Sequence, residues 1–189
     1  MDTIIGTVIN IFLLIIFALS AISLFLLGAY YLWISVVYLT RARHHKPEQL
    51  PQPERLPRVT VQLPIYNERF LVERLLGAVT DLDYPKDRLQ IQVLDDSTDF
   101  TSDLIKPLVE KYQKAGYDIL YLHRTDRTGF KAGNLMSGMP HATGELIAIF
   151  DADSVPESAW VKKVVPYFTA NPKLGWVQTR CIQINDKTN

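Results

Sequence analysis

An uninterrupted apolar stretch near the N-terminus constrains this chain more than any other feature. From Thr3 to Thr40 no side chain carries a charge, and a helix that crosses a bilayer needs about 20 apolar residues. The stretch exceeds one crossing, but it contains no proline and no charged turn at which a helical hairpin could reverse. The sequence therefore predicts one tilted transmembrane helix over residues 1–40 that extends into the membrane interface.

The residues around the end of this stretch predict its orientation. Aromatic side chains typical of a membrane–water interface cluster there, namely Tyr30, Tyr31, Trp33 and Tyr38. Basic side chains follow at once, namely Arg41, Arg43 and Lys46. By the positive-inside rule we expect this chain to cross the lipid bilayer once and to place its remaining residues in the cytoplasm.

A cleaved signal peptide is the alternative interpretation of the same stretch, with Ala18-Leu19-Ser20 as the small-residue cleavage site. A signal peptide begins with a basic cluster, whereas this chain begins with Asp2, and the apolar run continues beyond Ser20. The sequence therefore favours a membrane anchor.

The rest of the chain has room for one modest domain, since 189 residues must include the anchor. Prolines 47, 51, 53 and 57 predict a stiff, basic juxtamembrane linker over residues 41–57, followed by a domain over residues 58–189. With 20 basic and 20 acidic residues, the formal charge is zero, so we expect no nucleic-acid partner. Cys181 is the only cysteine, which excludes an internal disulfide.

Strand and helix patterns alternate along this domain. The predicted strands are Val59–Leu63, Leu89–Leu94, Asp118–His123, Glu145–Phe150 and Leu174–Thr179. The predicted helices are Glu68–Leu82, 102–114, Lys131–Met139 and Glu157–Thr169. Pro64 is expected to end the first strand, and Pro107 to lie in the first turn of its helix. This order predicts an α/β fold, a Rossmann-like and mostly parallel sheet with helices on both faces.

The topology would bring polar residues that are distant in sequence to one edge of the sheet. In doubly wound sheets the first strand commonly neighbours the fourth, and ligands bind at the carboxyl ends of the strands. The side chains expected at this edge are Tyr66, Asn67, Glu68, Asp95, Asp96, Asp151 and Asp153. The sequence therefore predicts a binding crevice there.

Asp151-Ala152-Asp153 directly follows the fourth predicted strand. Two carboxylates at this spacing suit Mg²⁺ or Mn²⁺, because either ion accepts oxygen ligands and keeps positions open for phosphates. We interpret the motif as the site of a metal-bound nucleotide diphosphate. The same spacing is also typical of a turn or a helix cap.

Asp95, Asp96 and Tyr66 allow two interpretations each. The acids could accept hydrogen bonds from a base or from ribose hydroxyls, or one of them could cap the next helix. Adjacent residues of an extended chain point to opposite sides, so both acids need not face a ligand. Tyr66 could stack on a nucleobase or could be a half-buried packing residue.

A basic loop leads into the third predicted helix. Arg124, Arg127 and Lys131 surround Gly129 and Gly133, and backbone amides at a helix start combined with a lysine favour phosphate binding. The loop is not a Walker A motif. The alternative is a solvated basic surface.

Four motifs occur in an order and spacing that resemble family-2 glycosyltransferases, most closely the processive membrane branch of cellulose and mannan synthases. They are Pro64-Ile65-Tyr66-Asn67-Glu68, Leu94-Asp95-Asp96-Ser97-Thr98-Asp99, Gly129-Phe130-Lys131-Ala132-Gly133-Asn134 and Phe150-Asp151-Ala152-Asp153. The resemblance implies a GT-A fold and an inverting enzyme of polysaccharide synthesis. It also implies a nucleotide-sugar donor, usually a UDP-sugar, a divalent Mg²⁺ or Mn²⁺, and a glycan or sugar acceptor.

The resemblance also implies roles for individual residues. Tyr66, Glu68, Lys131 and one of Asp95 and Asp96 would hold the nucleotide. Asp151 would lie beside the ribose and the diphosphate, and Asp153, with Asp151 next to it, would bind the metal.

The resemblance places the catalytic base, a Gln-x-x-Arg-Trp motif and further membrane helices beyond Asn189. We therefore expect this chain to be the N-terminal, donor-binding part of a multi-pass enzyme and to be inactive alone. One alternative is a non-catalytic nucleotide-sugar-binding module. The other is a metal-dependent phosphohydrolase, because residues 151–155 also fit Asp-x-Asp-x-Val, although that motif usually follows the first strand of a domain and not the fourth.

Overall fold

The computed structural model describes residues 2–42 and 50–179 and divides the chain into two compact units, Met1–Gln49 and Leu50–Asn189. The first unit contains helix α1 (Asp2–Val37), which continues as a π-helical turn over Tyr38–Ala42. The predicted linker falls partly outside the described residues, since residues 43–49 are not among them. The proposed linker boundaries therefore stay a prediction.

Helix α1 has the length and composition needed to cross a membrane. Its 36 residues span roughly 54 Å at 1.5 Å per residue, more than the ~30 Å hydrocarbon core of a bilayer. Hydroxyl groups along it bond back to the helix, because Ser23 Oγ donates to the Leu19 carbonyl and Ser35 Oγ to the Tyr31 carbonyl, both at 2.8 Å. These polar groups are satisfied without water, as an apolar surrounding requires.

The second unit is an α/β fold, as predicted. Its strands are β1 (Val59–Ile65), β2 (Leu89–Asp95), β3 (Asp118–His123) and β4 (Leu146–Ile149). Its helices are α2 (Val72–Thr80), α3 (Thr101–Lys114), α4 (Phe130–Gly138) and α5 (Trp160–Ala170), with 3₁₀ turns at Lys86–Arg88 and Met139–His141. The four strands are parallel in the order β3-β2-β1-β4. The first strand therefore neighbours the fourth, as expected.

One face of the sheet carries the hydrophobic core. Alternate residues of β1 (Val59, Val61, Leu63 and Ile65) are at most 2% exposed, and they pack in one cluster with residues of α2, α3 and α5. Each such buried aliphatic side chain contributes about 1.5–3 kcal/mol to folding. The period-two pattern of the strand and the helical stripes therefore meet in a single core.

The opposite face of β1 and β2 is polar and is buried beneath α4. Gln62 Nε2 donates to Gln92 Oε1 (3.0 Å) and to the Leu135 carbonyl (3.2 Å), and Thr60 Oγ1 donates to Gln90 Oε1 (2.8 Å). Buried polar side chains need such partners to offset their lost hydration. The polar faces of β1 and β2 therefore position α4, the helix that follows the basic loop.

Three local predictions were wrong. Residues Leu174–Thr179 form no strand in the described part of the chain and pair with no other strand there. The segment is instead attached by a side-chain hydrogen bond, in which Trp160 Nε1 donates to Thr179 Oγ1 at 3.1 Å. Pro64 lies inside β1, where its missing N–H is tolerated because the ladder with β4 ends at Gln62. Pro107 lies in the interior of α3 on its exposed side, where the unbonded carbonyl can reach water.

Asp95, the last residue of β2, is fully buried and joins three elements. Its carboxylate accepts hydrogen bonds from the Ser97 N–H (2.9 Å), Ser102 Oγ (2.6 Å) and Tyr121 Oη (2.8 Å), and lies 3.1 Å from His123 Nδ1. Burial by itself raises the pKa of Asp95, but the hydrogen bonds from Ser102, Ser97 and Tyr121 outweigh it. The net pKa lies below its ordinary value.

Two glycine-to-alanine substitutions should change stability in opposite directions. A Cβ at Gly138 would lie 2.6 Å from Gln92 Oε1 and 2.7 Å from Gln62 Nε2, whereas at Gly77 it would meet only Tyr112 Oη at 3.9 Å. We expect Gly138→Ala to lower the free energy of unfolding by about 1–3 kcal/mol. Gly77→Ala, within α2, should raise it by about 0.5–1 kcal/mol. Urea unfolding in detergent micelles, followed by fluorescence, measures both, and equal shifts would contradict this packing.

The stability of this unit should depend on Asp95 in a pH-dependent way. Because its folded-state pKa is depressed, its contribution is present above the unfolded pKa of about 3.9 and is lost as pH falls through the folded-state value. We expect Asp95→Asn to lower the free energy of unfolding by about 1–3 kcal/mol at pH 7 and to flatten the loss of stability in acid. If the free energy of unfolding of wild type and of Asp95→Asn changed with pH in the same way, this role of Asp95 would be contradicted.

Candidate functional site

The carboxyl ends of β1, β2 and β4 and the start of α4 surround one cleft of about 330 Å³. Its lining comes from four separate segments: Pro64, Ile65, Tyr66, Glu68, Asp96, Arg127, Lys131, Asn134, Asp151, Ala152 and Asp153. Parallel strands with right-handed crossovers place their carboxyl ends on one edge. Of the predicted site residues, the lining contains Tyr66, Glu68, Asp96, Lys131, Asp151 and Asp153, together with Arg127 of the basic loop, but not Asn67, Asp95 or Arg124.

The segment after β1 is attached to the segment after β2. Asn67 adopts φ = 56°, a left-handed conformation that asparagine tolerates better than most residues. Its N–H donates to Ser97 Oγ and its Oδ1 accepts from the Thr98 N–H, both at 2.9 Å. These bonds hold Tyr66 and Glu68, on either side of Asn67, next to Asp96.

Asp96 lies in the cleft lining but is almost enclosed. Arg124 binds it with two parallel hydrogen bonds, Nε to Oδ1 at 2.8 Å and Nη2 to Oδ2 at 2.6 Å, and the Asp96 side chain is 3% exposed. The hydrogen bond to Asp96 raises the pKa of Arg124 above its ordinary value. Arg124 therefore fixes the orientation of the Asp96 carboxylate, since a bidentate pair restricts both side chains.

The basic loop requires glycine at two positions. Gly129 has φ = 76°, a conformation in which only glycine is unstrained, and a Cβ on Gly133 would overlap the Thr128 carbonyl oxygen. Phe130 has φ = 49°, which is strained for an aromatic residue and often marks functional segments. Asp126 accepts hydrogen bonds from the Thr128 N–H (2.9 Å) and Oγ1 (2.7 Å), so the loop is braced internally.

The guanidinium of Arg127 lies over the ring of Tyr66. The Arg127 guanidinium carbon lies 3.3 Å from the centre of the Tyr66 ring, a cation–π contact. Tyr66 is 40% exposed, so the arginine covers part of the aromatic surface on which a base would stack under one of the two interpretations of this residue.

The two acids after β4 also line the cleft. Lys131, at the start of α4, contacts the Asp151 carboxylate, and both side chains are more than half exposed. Asp153 is exposed as well, and its carbonyl oxygen accepts a 3.4 Å hydrogen bond from Arg74 Nη2. The motif therefore presents carboxylates to the cleft and does not cap α5, which begins only at Trp160.

The donor set of the cleft fits a hard divalent cation. Across residues 2–42 and 50–179 no group of three or more His, Cys, Asp and Glu side chains could hold a metal ion alone. The lining nevertheless contains four carboxylates and two cationic side chains. Mg²⁺ and Mn²⁺ use few protein carboxylates and take other ligands from water and substrate phosphates, so the carboxylates of Asp151 and Asp153 are of the type that such an ion takes from a protein.

Two features of the cleft were not evident from the sequence. Asn134 is 2% exposed, and its Nδ2 donates to the Leu94 carbonyl at 2.8 Å, which ties α4 to the end of β2. The cations of the basic loop also differ, since Arg124 pairs with Asp96 and Lys131 with Asp151. Spacing placed all three cations in one loop but could not assign their partners.

Comparison with known proteins supports one family. A family profile described as "Glycosyl transferase family 2" matches residues 60–189. Two proteins of Oryza sativa subsp. japonica, described as probable glucomannan 4-beta-mannosyltransferases 2 and 7, are 44% and 43% identical to this chain over 133 and 137 residues. These matches cover 68% and 70% of this chain, but this chain spans only 23% of the length of either relative.

Solved structures share the fold. The mannosyltransferase PcManGT from Pyrobaculum calidifontis, in complex with GDP-Man and Mn²⁺, has a TM-score of 0.63 and 33% identity, over 78% of this chain and 41% of that chain. S. aureus TarS in complex with UDP-GlcNAc has a TM-score of 0.54 and 22% identity, over 67% of this chain and 37% of that one; at this identity the likeness concerns the fold alone. Together with the profile match, the parallel α/β sheet and the cleft at its carboxyl edge establish that this chain belongs to glycosyltransferase family 2.

Proposed function

We propose that this cleft binds the nucleotide diphosphate of a sugar donor together with Mg²⁺ or Mn²⁺. The observation that carries the proposal is the convergence of one aromatic, four acidic and two basic side chains from four separate segments on one cleft. A nucleotide diphosphate needs both kinds of charge, because cations bind its phosphates and acids bind its hydroxyls and a metal.

The residues divide between the two ends of the donor. Tyr66, Glu68 and Asp96 would bind the nucleoside, and Lys131 and the α4 N-terminus would bind the diphosphate. Asp153, with Asp151, would hold the metal ion. When bound, the ion would offset the negative charge that grows on the leaving diphosphate. Asp95 is assigned a structural role, because its oxygens are already bonded beneath the cleft.

The donor we propose is GDP-mannose. The two rice relatives are described as mannosyltransferases, and the structure of PcManGT contains GDP-Man. We propose GDP-mannose in place of the UDP-sugar that the motif resemblance to family-2 glycosyltransferases implied. The acceptor would be a glycan or a sugar hydroxyl, with inversion at the anomeric carbon, in the synthesis of a polysaccharide by the whole protein.

The proposed location is the cytoplasmic side of a membrane. Helix α1 would be the anchor over residues 1–40, residues 41–57 the linker and residues 58–189 the glycosyltransferase domain. The basic residues that follow the helix support this orientation.

Removing the Asp153 carboxylate should weaken metal-dependent nucleotide binding and leave the fold unchanged. We expect Asp153→Asn to weaken Mn²⁺-dependent GDP binding by at least about tenfold, as expected for a lost charged ligand. The matched control is Asp81→Asn, because Asp81 is exposed and lies outside the cleft lining. Calorimetric titration of the full chain in detergent with GDP and Mn²⁺ measures both. Equal affinities for Asp153→Asn and wild type would refute the metal assignment.

The choice of base is tested by comparing nucleotides. We expect wild type to bind GDP about tenfold or more tightly than UDP in the presence of Mn²⁺, a difference of about 1.4 kcal/mol. The same titrations provide the measurement. A preference for UDP would reject GDP-mannose while leaving the cleft assignment intact, and binding of neither nucleotide would reject both.

A further inference from the structure

Arg127 differs from its two basic neighbours because it has no acidic partner. Arg124 is paired with Asp96, and Lys131 contacts Asp151. In the described part of the chain Arg127 forms no ion pair, although it lines the cleft. A guanidinium without a carboxylate partner in a ligand cleft has its hydrogen-bond donors available for an anionic group.

Aromatic surfaces hold this guanidinium in the cleft. Its carbon lies 3.3 Å from the centre of the Tyr66 ring and 5.5 Å from that of Phe130. Its Nε is buried and has no hydrogen-bond partner within residues 50–179. A buried, unpaired N–H is unfavourable, so the present position of Arg127 leaves binding capacity unused.

The loop around Arg127 is fixed on both sides. Arg124 Nη1 donates to the Thr128 carbonyl (3.4 Å) and Nη2 to the Phe130 carbonyl (3.3 Å). Phe130 N–H in turn donates to the Arg127 carbonyl at 2.8 Å. The backbone of Arg127 is thereby held just before the N-terminus of α4, where the helix dipole favours an anion.

We infer that Arg127 binds the diphosphate of the nucleotide-sugar donor, in addition to Lys131, and that it rests on Tyr66 until the donor is bound. The inference rests on the proposed function of the cleft. The planar, permanently charged guanidinium suits two phosphate oxygens at once. Its transfer to the phosphates would satisfy Nε and uncover the face of Tyr66 for the base.

Substitutions that remove or keep the charge at position 127 test this inference through nucleotide affinity. Wild type and each variant, as the full chain in detergent, are titrated with GDP and Mn²⁺ at low and high salt. We expect Arg127→Gln to weaken GDP binding roughly 10- to 100-fold, as for a hydrogen bond to a charged group, and to reduce the salt dependence of the affinity. Arg127→Lys should lose less, because it keeps the charge.

Controls separate the outcomes. Arg55→Gln removes an arginine that is 75% exposed and pairs with Glu145, away from the cleft lining, and should bind GDP as wild type does. Unchanged affinity in Arg127→Gln, or equal losses in the Gln and Lys variants, would overturn the phosphate contact, since loss of stacking would affect both alike. An equal loss in Arg55→Gln would also overturn it, as a general field effect. Absence of GDP and UDP binding in wild type would instead reject the proposed function on which the contact rests.

Discussion

The central position of β1 is the constraint on which the site depends. This strand pairs with β2 on one side and with β4 on the other, all parallel, so three segments that are far apart in sequence end at one edge of the sheet. The pairing brings Tyr66, Asp96 and Asp153 into one lining. A register shift in either pair would turn buried side chains toward the opposite face, and would disrupt the core and the cleft together.

The second determinant is charge compensation at this edge. Each acid that lies deep is bonded: Asp95 by three hydrogen-bond donors, and Asp96 by the two-pronged contact with Arg124. The acids that face solvent, Asp151 and Asp153, are held less firmly. This gradient distinguishes the fully enclosed Asp95 from the carboxylates that line the cleft, because burying an unpaired charge is strongly unfavourable. In the proposed site, Asp96 lies at the nucleoside end with its orientation fixed by Arg124, and Asp151 and Asp153, whose charges are compensated least, lie at the metal end.

Much of this arrangement was predictable from the sequence, for identifiable reasons. Periodic apolar residues located β1, α2, α3 and α5, because a single face of each of these elements packs on the core. The position of Asp151 and Asp153 followed from the strand that precedes them. The side-chain partners did not follow, since the pairing of Arg124 with Asp96 and the contact of Arg127 with Tyr66 depend on the path of a loop. The prediction of a strand at Leu174–Thr179 was wrong because an apolar run does not show whether a neighbouring strand is present to pair with it.

The proposed site places a metal ion and a nucleotide diphosphate beside the carboxylates after β4. Crystals of the chain grown with GDP and Mn²⁺ would test it directly, through the anomalous scattering of manganese. We expect an anomalous peak within coordination distance of a carboxylate oxygen of Asp153, with the nucleotide between that peak and Tyr66. Manganese at any other position, or a nucleotide bound outside the cleft, would contradict it.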